Sequence, residues 1–229
     1  MKYGTIKRGI FIERPNRFIA KVSMNGAIET VHVKNTGRCR EILIPGATVI
    51  LEKANNEGRK TSYSLIAAYK GETLINIDSQ APNQVVYEAL KQGALPEFGN
   101  LTRIVKEVRF GNSRIDLYYE TESEKGFIEV KGVTLERDGR ALFPDAPTER
   151  GAKHLLELAE SVQSGFRGWI FFLIQMKAPD RFQPNIPMDP KFTEALRLAR
   201  DSGVGILAYD SIVTEDGLII DEPVLVDKF

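Results

Sequence analysis

Asp116, Glu129 and Lys131 are the residues best suited to chemistry. Asp116 lies in Arg114-Ile115-Asp116-Leu117, and Glu129-Val130-Lys131 follows with twelve residues between Asp116 and Glu129. Both segments are apolar-rich and read as neighbouring strands. Residues two apart in a strand share a face. Glu129 and Lys131 therefore point one way, and Ile128 and Val130 the other. Ile115, Leu117 and Tyr119 are expected on one face of the earlier strand, with Asp116 opposite. Two carboxylates meeting at a sheet edge repel unless a cation lies between them. Mg²⁺ suits such a pair, because it takes oxygen ligands and keeps several waters; Mn²⁺ is the other candidate. An ion of this kind binds a scissile phosphate oxygen and acidifies the attacking water. Lys131 adds a positive charge that can orient the water or stabilise a pentavalent phosphorus. Glu88, on a short helix upstream, is a candidate third carboxylate. Together these groups would cut a phosphodiester. The alternative is that Asp116 and Glu129 are strand-end charges paired with Arg114 and Lys131.

Other polar groups can serve the same site. In Thr148-Glu149-Arg150-Gly151-Ala152-Lys153-His154, Arg150 and Lys153 are three apart, and Arg150 and His154 four apart. On a helix they share a face and can follow a phosphate strand. The alternative is a solvated face with Lys153 paired to Glu149 or Glu157. His154 is an auxiliary candidate, although a lone histidine more often packs than reacts. Gln175, at the end of a strand, either touches the bound water or a base, or faces solvent. Earlier in the chain, Arg38 and Arg40 in Asn35-Thr36-Gly37-Arg38-Cys39-Arg40-Glu41 can contact phosphates. Arg14, Arg17 and Lys21 add basic character. Tyr3, Phe11 and Phe18 offer stacking surfaces, with barrel core as the commoner fate of such side chains. Flanking arginines would lower the Cys39 pKa in principle, but no histidine partner lies nearer than His32, so a thiol nucleophile is a poor candidate.

The elements that must hold these residues fall into two groups. Residues 1–80 read as short strands and turns. Ile10-Phe11-Ile12 and residues 17–22 are strand patterns. Asn25-Gly26 marks a hairpin into residues 28–33. Pro45-Gly46 turns the chain before residues 48–51, and Asn55, Asn56 and Gly58 break it before residues 63–69. About five short strands and no helix suggest a small closed barrel of the oligonucleotide-binding kind. Residues 81–229 alternate. A helix is expected over 83–92, strands over 103–110, 114–119 and 127–131, and a helix from Pro147-Thr148 to about Ser161. A buried strand over 169–175 follows, then a helix capped by Asp189 with Pro190 at its first position, then a strand over 204–209. This alternation implies an α/β domain.

Bulk properties agree with a soluble chain. It has 229 residues, 42% hydrophobic and 27% charged, enough for one large domain or two small ones. Net charge is zero, but residues 1–80 hold 13 basic and 7 acidic residues, and the remainder 18 and 24. A basic first part suits a phosphate backbone and an acidic second part suits a divalent metal. The single cysteine excludes an internal disulfide and fits a reducing cytoplasm. The first fifteen residues lack the apolar core of a secretory signal, and the six-residue run Trp169–Ile174 is far too short to span a bilayer. A cytoplasmic protein without a membrane partner is expected.

The motifs closely resemble the sugar fermentation stimulation protein A family of bacteria and archaea, nearly end to end. The resemblance rests on residues 35–43, Ser113-Arg114-Ile115-Asp116, residues 127–135, the distinctive Phe143–Leu155 run, Phe182-Gln183-Pro184-Asn185 and Asp189-Pro190-Lys191-Phe192. It implies an N-terminal oligonucleotide-binding barrel over 1–80 and a C-terminal restriction-endonuclease-like domain over 81–229. Glu88, Asp116, Glu129 and Lys131 then match the acids and acid-x-lysine signature of that core. Family members are described as DNA-binding and linked to control of sugar utilisation, with nuclease activity inferred from the fold. Gly132 stands where a polar residue such as asparagine is common.

Three readings follow. The first is a Mg²⁺- or Mn²⁺-dependent nuclease acting on DNA, with RNA open. A two-fold dimer would suit duplex cleavage, which needs two sites. The second is a non-catalytic DNA-binding regulator on an old nuclease scaffold. The third, glycoside hydrolysis by Glu88 and Glu129, fits poorly with Lys131 beside the acids.

Overall fold

The computed structural model describes residues 1–229 except Thr36, Asn56 and Glu57. Thr36 of the arginine-loop motif and Asn56 of the predicted break therefore lie outside the described residues. The first part is built from β1 (Ile6–Asn16), β2 (Ile19–Met24), β3 (Ala27–Val33), β4 (Thr48–Lys53), β5 (Tyr63–Lys70) and β6 (Thr73–Asn76). Asn25 and Gly26 take φ of 50° and 82° between β2 and β3, the left-handed pair that a tight hairpin demands. The strands run in the order β3-β2-β1-β4-β5-β6, and β3 also pairs with β5 in parallel. That last pairing closes β1 to β5 into a five-stranded barrel, with β6 as an outer extension. Phe11, Val22, Val31, Val49, Leu51 and Leu65 are buried within it.

The second part continues with α1 (Ala81–Lys91), a single 3₁₀ turn at Pro96–Phe98, β7 (Arg103–Phe110), β8 (Ser113–Glu120), β9 (Lys125–Val133), β10 (Leu135–Arg137), β11 (Arg140–Phe143), α2 (Glu149–Gln163), β12 (Arg167–Ile174), β13 (Arg181–Pro184), α3 (Pro190–Asp201), β14 (Gly205–Thr214), β15 (Gly217–Pro223) and β16 (Leu225–Val226). Its main sheet has the order β15-β14-β12-β9-β8-β7, and a small sheet has the order β10-β11-β13-β16. β12 lies parallel to both β9 and β14. A strand covered on both faces needs apolar residues at every position, and Ile170 to Ile174 are fully buried. Val85, Val86, Ala89 and Leu90 of α1 pack with Leu117, Ile128, Val130 and Phe171 on one face. Leu155 and Leu158 of α2 and Phe192 and Leu196 of α3 pack with Ile170, Phe172 and Ile174 on the other. The result is a three-layer α/β/α domain. The same second cluster runs on into the barrel interior, so one core serves both parts.

Helix ends follow the sequence. Thr148 Oγ1 accepts the Gly151 N–H at 3.0 Å at the start of α2, and Asp189 Oδ1 accepts the Phe192 N–H at 3.0 Å at the start of α3. Such caps satisfy N–H groups that lack an intrahelical partner. Asp189 also accepts the Thr148 N–H at 2.7 Å, tying the two helices together.

The expected alternation along β8 breaks at Asp116. Leu117 packs under α1, whereas Ile115 packs with the α2 and α3 layer. The expectation that Ile115, Leu117 and Tyr119 share a face is thus corrected. Across the ladder, Glu107 in β7 takes φ of 59° between the pairs Lys106↔Leu117 and Val108↔Ile115. An irregularity of this kind re-aims side chains within a strand.

The seam between the two parts is polar and closed. Gln175 follows β12 and is 1% exposed. Its Nε2 donates to Asn76 Oδ1 at 2.8 Å and to the Asp78 carbonyl at 3.0 Å, and its own carbonyl accepts the Asn76 N–H at 2.9 Å. Asp78 in turn accepts from Lys34 Nζ at 3.2 Å and from the Gln80 N–H at 2.9 Å. Gln175 neither faces solvent nor stands free to touch a substrate, which corrects both expectations for it. A Cβ at Gly132 would lie 2.3 Å from Gln175 Oε1 and 2.7 Å from Pro82. The glycine at this position lets Gln175 and the start of α1 close over β9.

Candidate active site

The β8–β9 ladder stops at Leu117↔Ile128. One step further Asp116 and Glu129 face each other across a gap in the pairing. Asp116 fills that gap with its side chain. Its Oδ2 accepts the Val130 N–H at 2.8 Å, and its Oδ1 accepts Asn83 Nδ2 at 2.7 Å. Asn83 sits in the first turn of α1, so the helix sets the carboxylate from above. Glu129 projects to the opposite layer and is 2% exposed. Its Oε1 accepts Lys131 Nζ at 2.6 Å and lies 2.5 Å from His154 Nδ1. Arg150 Nε donates to His154 Nε2 at 3.3 Å. That contact makes Nε2 the acceptor and leaves Nδ1 to carry the proton toward Glu129.

The two carboxylates differ in their electrostatics. Burial and then the neighbouring Glu129 charge push Asp116 above the usual aspartate range, against Lys131, the Val130 N–H and Asn83. Burial also acts to raise Glu129, but the His154 hydrogen bond and Lys131 outweigh it and hold the group low. Glu129 is thus a fixed anion, and Asp116 is a carboxylate whose charge is costly while nothing further neutralises it. Glu129 Oε2 is buried and has no hydrogen-bond partner among the described residues. A buried carboxylate oxygen without a donor is expensive, and a bound cation is one way to satisfy it.

The structure brings Asp116, Glu129, Lys131, His154 and Arg150 together. It does not bring Glu88. Glu88 Oε2 lies 2.7 Å from the Met1 amino group, and Gln84 Nε2 donates to Glu88 Oε1 at 2.6 Å. No group of three or more acid, histidine or cysteine side chains able to hold a metal occurs among the described residues. The three-carboxylate expectation is corrected on this ground: α1 presents Asn83, one turn and a residue earlier, and turns Glu88 to the amino terminus. Lys153 stays exposed, with its Nζ 3.7 Å from Glu157 Oε1, the solvated alternative for that residue. Asn83 escaped the sequence reading because a single amide at a helix start resembles an ordinary cap.

Arg38 and Arg40 are both exposed on their loop. The loop itself is held by Arg14, whose guanidinium donates to the carbonyls of Arg17, Asn35, Gly37 and Arg38 at 2.5–3.0 Å. The Arg38 N–H donates to Asp145 Oδ2 at 3.1 Å, so the loop docks five residues before Arg150. Cys39 is buried at the centre of this turn. Burial, followed by Asp145, pushes its thiol up to about 12, which reverses the lowering expected from its neighbours. At pH 8 that leaves about one thiol in ten thousand as the reactive thiolate. Iodoacetamide at pH 8 should therefore leave the native protein unlabelled, and label it fully in guanidinium. Rapid labelling of native protein, read by mass, would contradict the buried position.

A barrel closed by five strands, joined to a three-layer sheet whose interrupted β8–β9 edge carries Asp116 and Glu129-Val130-Lys131, defines an oligonucleotide-binding barrel fused to a nuclease-like domain. Family models agree on both parts. Residues 12–77 match the SfsA N-terminal OB domain, and residues 80–217 match the sugar fermentation stimulation protein RE domain. The chain belongs to the sugar fermentation stimulation protein family. It is 53% identical to the homolog of Alkaliphilus oremlandii over 99% of both chains. It is 54% identical to the homolog of Clostridium botulinum strain Kyoto over 97% of both. The solved structure of Pyrococcus furiosus SfsA in complex with Ca²⁺ superposes with a TM-score of 0.91 at 29% identity, covering 100% of this chain and 98% of that one. No helix among the described residues is long and apolar enough to cross a membrane.

Proposed function

We propose that this protein is a Mg²⁺- or Mn²⁺-dependent nuclease acting on DNA. The observation that carries the reading is the facing pair Asp116 and Glu129, with Glu129 Oε2 buried and unpartnered among the described residues and Asp116 raised by burial and then by its neighbour. Such a pair has the chemistry of a hard-cation site. The Pyrococcus furiosus relative was solved with Ca²⁺, another oxygen-seeking divalent ion. Asp116 and Glu129 would hold the ion, and Asn83 and the Val130 N–H keep Asp116 in position. A bound ion supplies Lewis-acid polarisation of a phosphate oxygen. Lys131, 15% exposed at Nζ's side chain, places a positive charge where negative charge grows on phosphorus. His154 orients Glu129, and the exposed Arg150 behind it can meet the backbone of the substrate.

One feature favours the non-catalytic regulator. Lys131 already pairs with Glu129 and His154 already hydrogen-bonds to it, so the cluster can stand as a structural network. Metal uptake separates the two readings. Thermal melts with and without Mg²⁺ should show stabilisation, because a ligand that binds only the folded chain raises its stability. The sign with pH follows from Asp116. Its proton competes with metal, so the Mg²⁺ increment should be lost at acid pH and grow as pH rises through the raised Asp116 range, while Glu129, held low, keeps its charge to lower pH than Asp116 does. Asp116→Asn should abolish the increment. An increment that is absent, or unchanged in Asp116→Asn, would exclude this site as the metal centre.

A further inference from the structure

Ser79 and Gln80, at the junction of the two domains, line two adjoining depressions. One reaches onto the barrel and is also lined by Phe18, His32, Lys34 and Arg59. The other reaches onto the nuclease-like domain and is also lined by Asn83, Gln84, Lys106, Asp116 and Glu107, whose carboxylate pairs with Arg114 at 3.4 Å. Ser79 and Gln80 are exposed and line both, so a ligand crossing them would pass from the barrel to Asp116.

The side chains along that path suit a particular ligand. Phe18 is 47% exposed, while Tyr3 and Phe11, the other aromatics singled out in the sequence, are buried in the core. The Phe18 backbone is pinned. Its N–H donates to Asn16 Oδ1 at 2.9 Å, and its carbonyl accepts the Val33 N–H at 2.7 Å. The Arg17 guanidinium sits 4.9 Å from the ring centroid, so a flat ligand on the free face would complete a stack. Arg59 donates to Ser64 Oγ at 3.1 Å, and Lys106 Nζ donates to Gln84 Oε1 at 2.8 Å. Lys106 Nζ also lies 4.3 Å from the Tyr87 ring centroid, but neither cation forms an ion pair among the described residues, which leaves both able to meet a phosphate. His32 Nδ1 is buried without a partner among the described residues. Lys34 is already committed to Glu52 and Asp78 and is left out of the contact set.

We propose that the two depressions form one groove, the path of a single nucleic-acid strand, with a base stacked on Phe18 and backbone phosphates on Arg59 and Lys106, leading to Asp116. The strand is single because only an unstacked base can take an aromatic face. The inference deepens the proposed function and rests on it only for what happens at Asp116. It also moves the recognition surface away from Arg38 and Arg40.

The test is fluorescence anisotropy of a labelled single-stranded oligodeoxynucleotide and of its duplex, on the full chain in EDTA, with cleavage followed separately in Mg²⁺. Phe18→Ala removes an exposed side chain and should fold normally. It should weaken single-strand binding about tenfold and leave duplex binding unchanged. Arg59→Ala and Lys106→Ala should each weaken binding and lower the single-strand salt slope by about 0.7. Leu225→Ala, an exposed apolar residue of β16, should bind as the native protein does. Loss in Phe18→Ala without cleavage by any variant upholds the groove and rejects the nuclease reading. Native cleavage with unchanged binding in Phe18→Ala and Arg59→Ala overturns the groove and leaves the nuclease reading standing.

Discussion

Glu129→Ala should cut DNA at least about a thousandfold more slowly than the native protein in Mg²⁺, while binding DNA nearly as well. The magnitude follows from the several kcal/mol that a bound metal contributes to charge stabilisation, at about 1.4 kcal/mol per tenfold. Three losses coincide in this variant. The buried Oε2 disappears, so the pair can no longer hold an ion. Lys131 loses the partner 2.6 Å from its Nζ and becomes free to swing. His154 loses its orienting acceptor. Glu129→Gln separates these effects. It keeps the shape and one carbonyl oxygen but not the charge, and should be as inactive as the alanine variant. A glutamine variant with near-native rate would show that Glu129 acts by shape and would remove it from the metal site. Removing one partner of a buried pair costs stability, so circular dichroism should accompany the assay to show that either variant stays folded.

The second large effect is expected far from the acids. Gln175→Ala should lower stability by about 2–3 kcal/mol, or roughly 5–10 °C in Tm for a chain of this size. The variant removes both hydrogen bonds that the amide gives to Asn76 and Asp78 and leaves a hole in a seam that excludes water. Gln175→Glu tests whether donor or volume matters. It keeps the volume, but turns a carboxylate oxygen toward Asn76 Oδ1 and the Asp78 carbonyl, and should be at least as damaging. The Asp78 carbonyl also accepts the first N–H of α1, from Ala81 at 3.2 Å, and Asn83 on that helix sets Asp116. Cleavage should therefore fall in Gln175→Ala although no acid has changed. A glutamate variant as stable as the native protein would mean that the seam is held by packing alone.

Local rules carried the fold a long way. Asn25-Gly26 specified its hairpin, Thr148 and Asp189 specified their helix starts, and the run over Trp169–Ile174 specified a strand covered on both faces. Acid-x-lysine on β9 placed Glu129 and Lys131 on one side because period-two alternation is reliable in a regular strand, and β9 is paired without a break to β12. The same rule failed on β8, where Glu107 and Asp116 interrupt the ladder and Ile115 changes layers. Nothing local marks that interruption, since it depends on Asp116 taking the Val130 N–H fourteen residues away. Long-range partners were equally hidden. Glu88 and Asn83 share a helix, and only the packing of α1 decides that the amide meets Asp116 and the acid meets Met1. His154 looked like a packing histidine until α2 was laid against β9. Gln175 looked like a strand end until β6 of the barrel closed over it. The lowered Cys39 pKa expected in principle does not arise, because the two flanking arginines are exposed while the thiol is buried beside Asp145, which agrees with Cys39 being a poor candidate nucleophile.

If Asp116, Glu129 and Lys131 form a metal-dependent phosphodiesterase site, the chain must cut DNA only when metal is present. The most direct measurement is incubation of the purified protein with labelled single- and double-stranded DNA and RNA, in Mg²⁺ or Mn²⁺ and in EDTA, with fragments resolved on a denaturing gel. Cleavage of DNA in either metal, absent in EDTA and absent from Glu129→Ala, is the predicted result. DNA bound but left intact across the whole panel would contradict it, and would leave a nucleic-acid-binding protein on a nuclease scaffold.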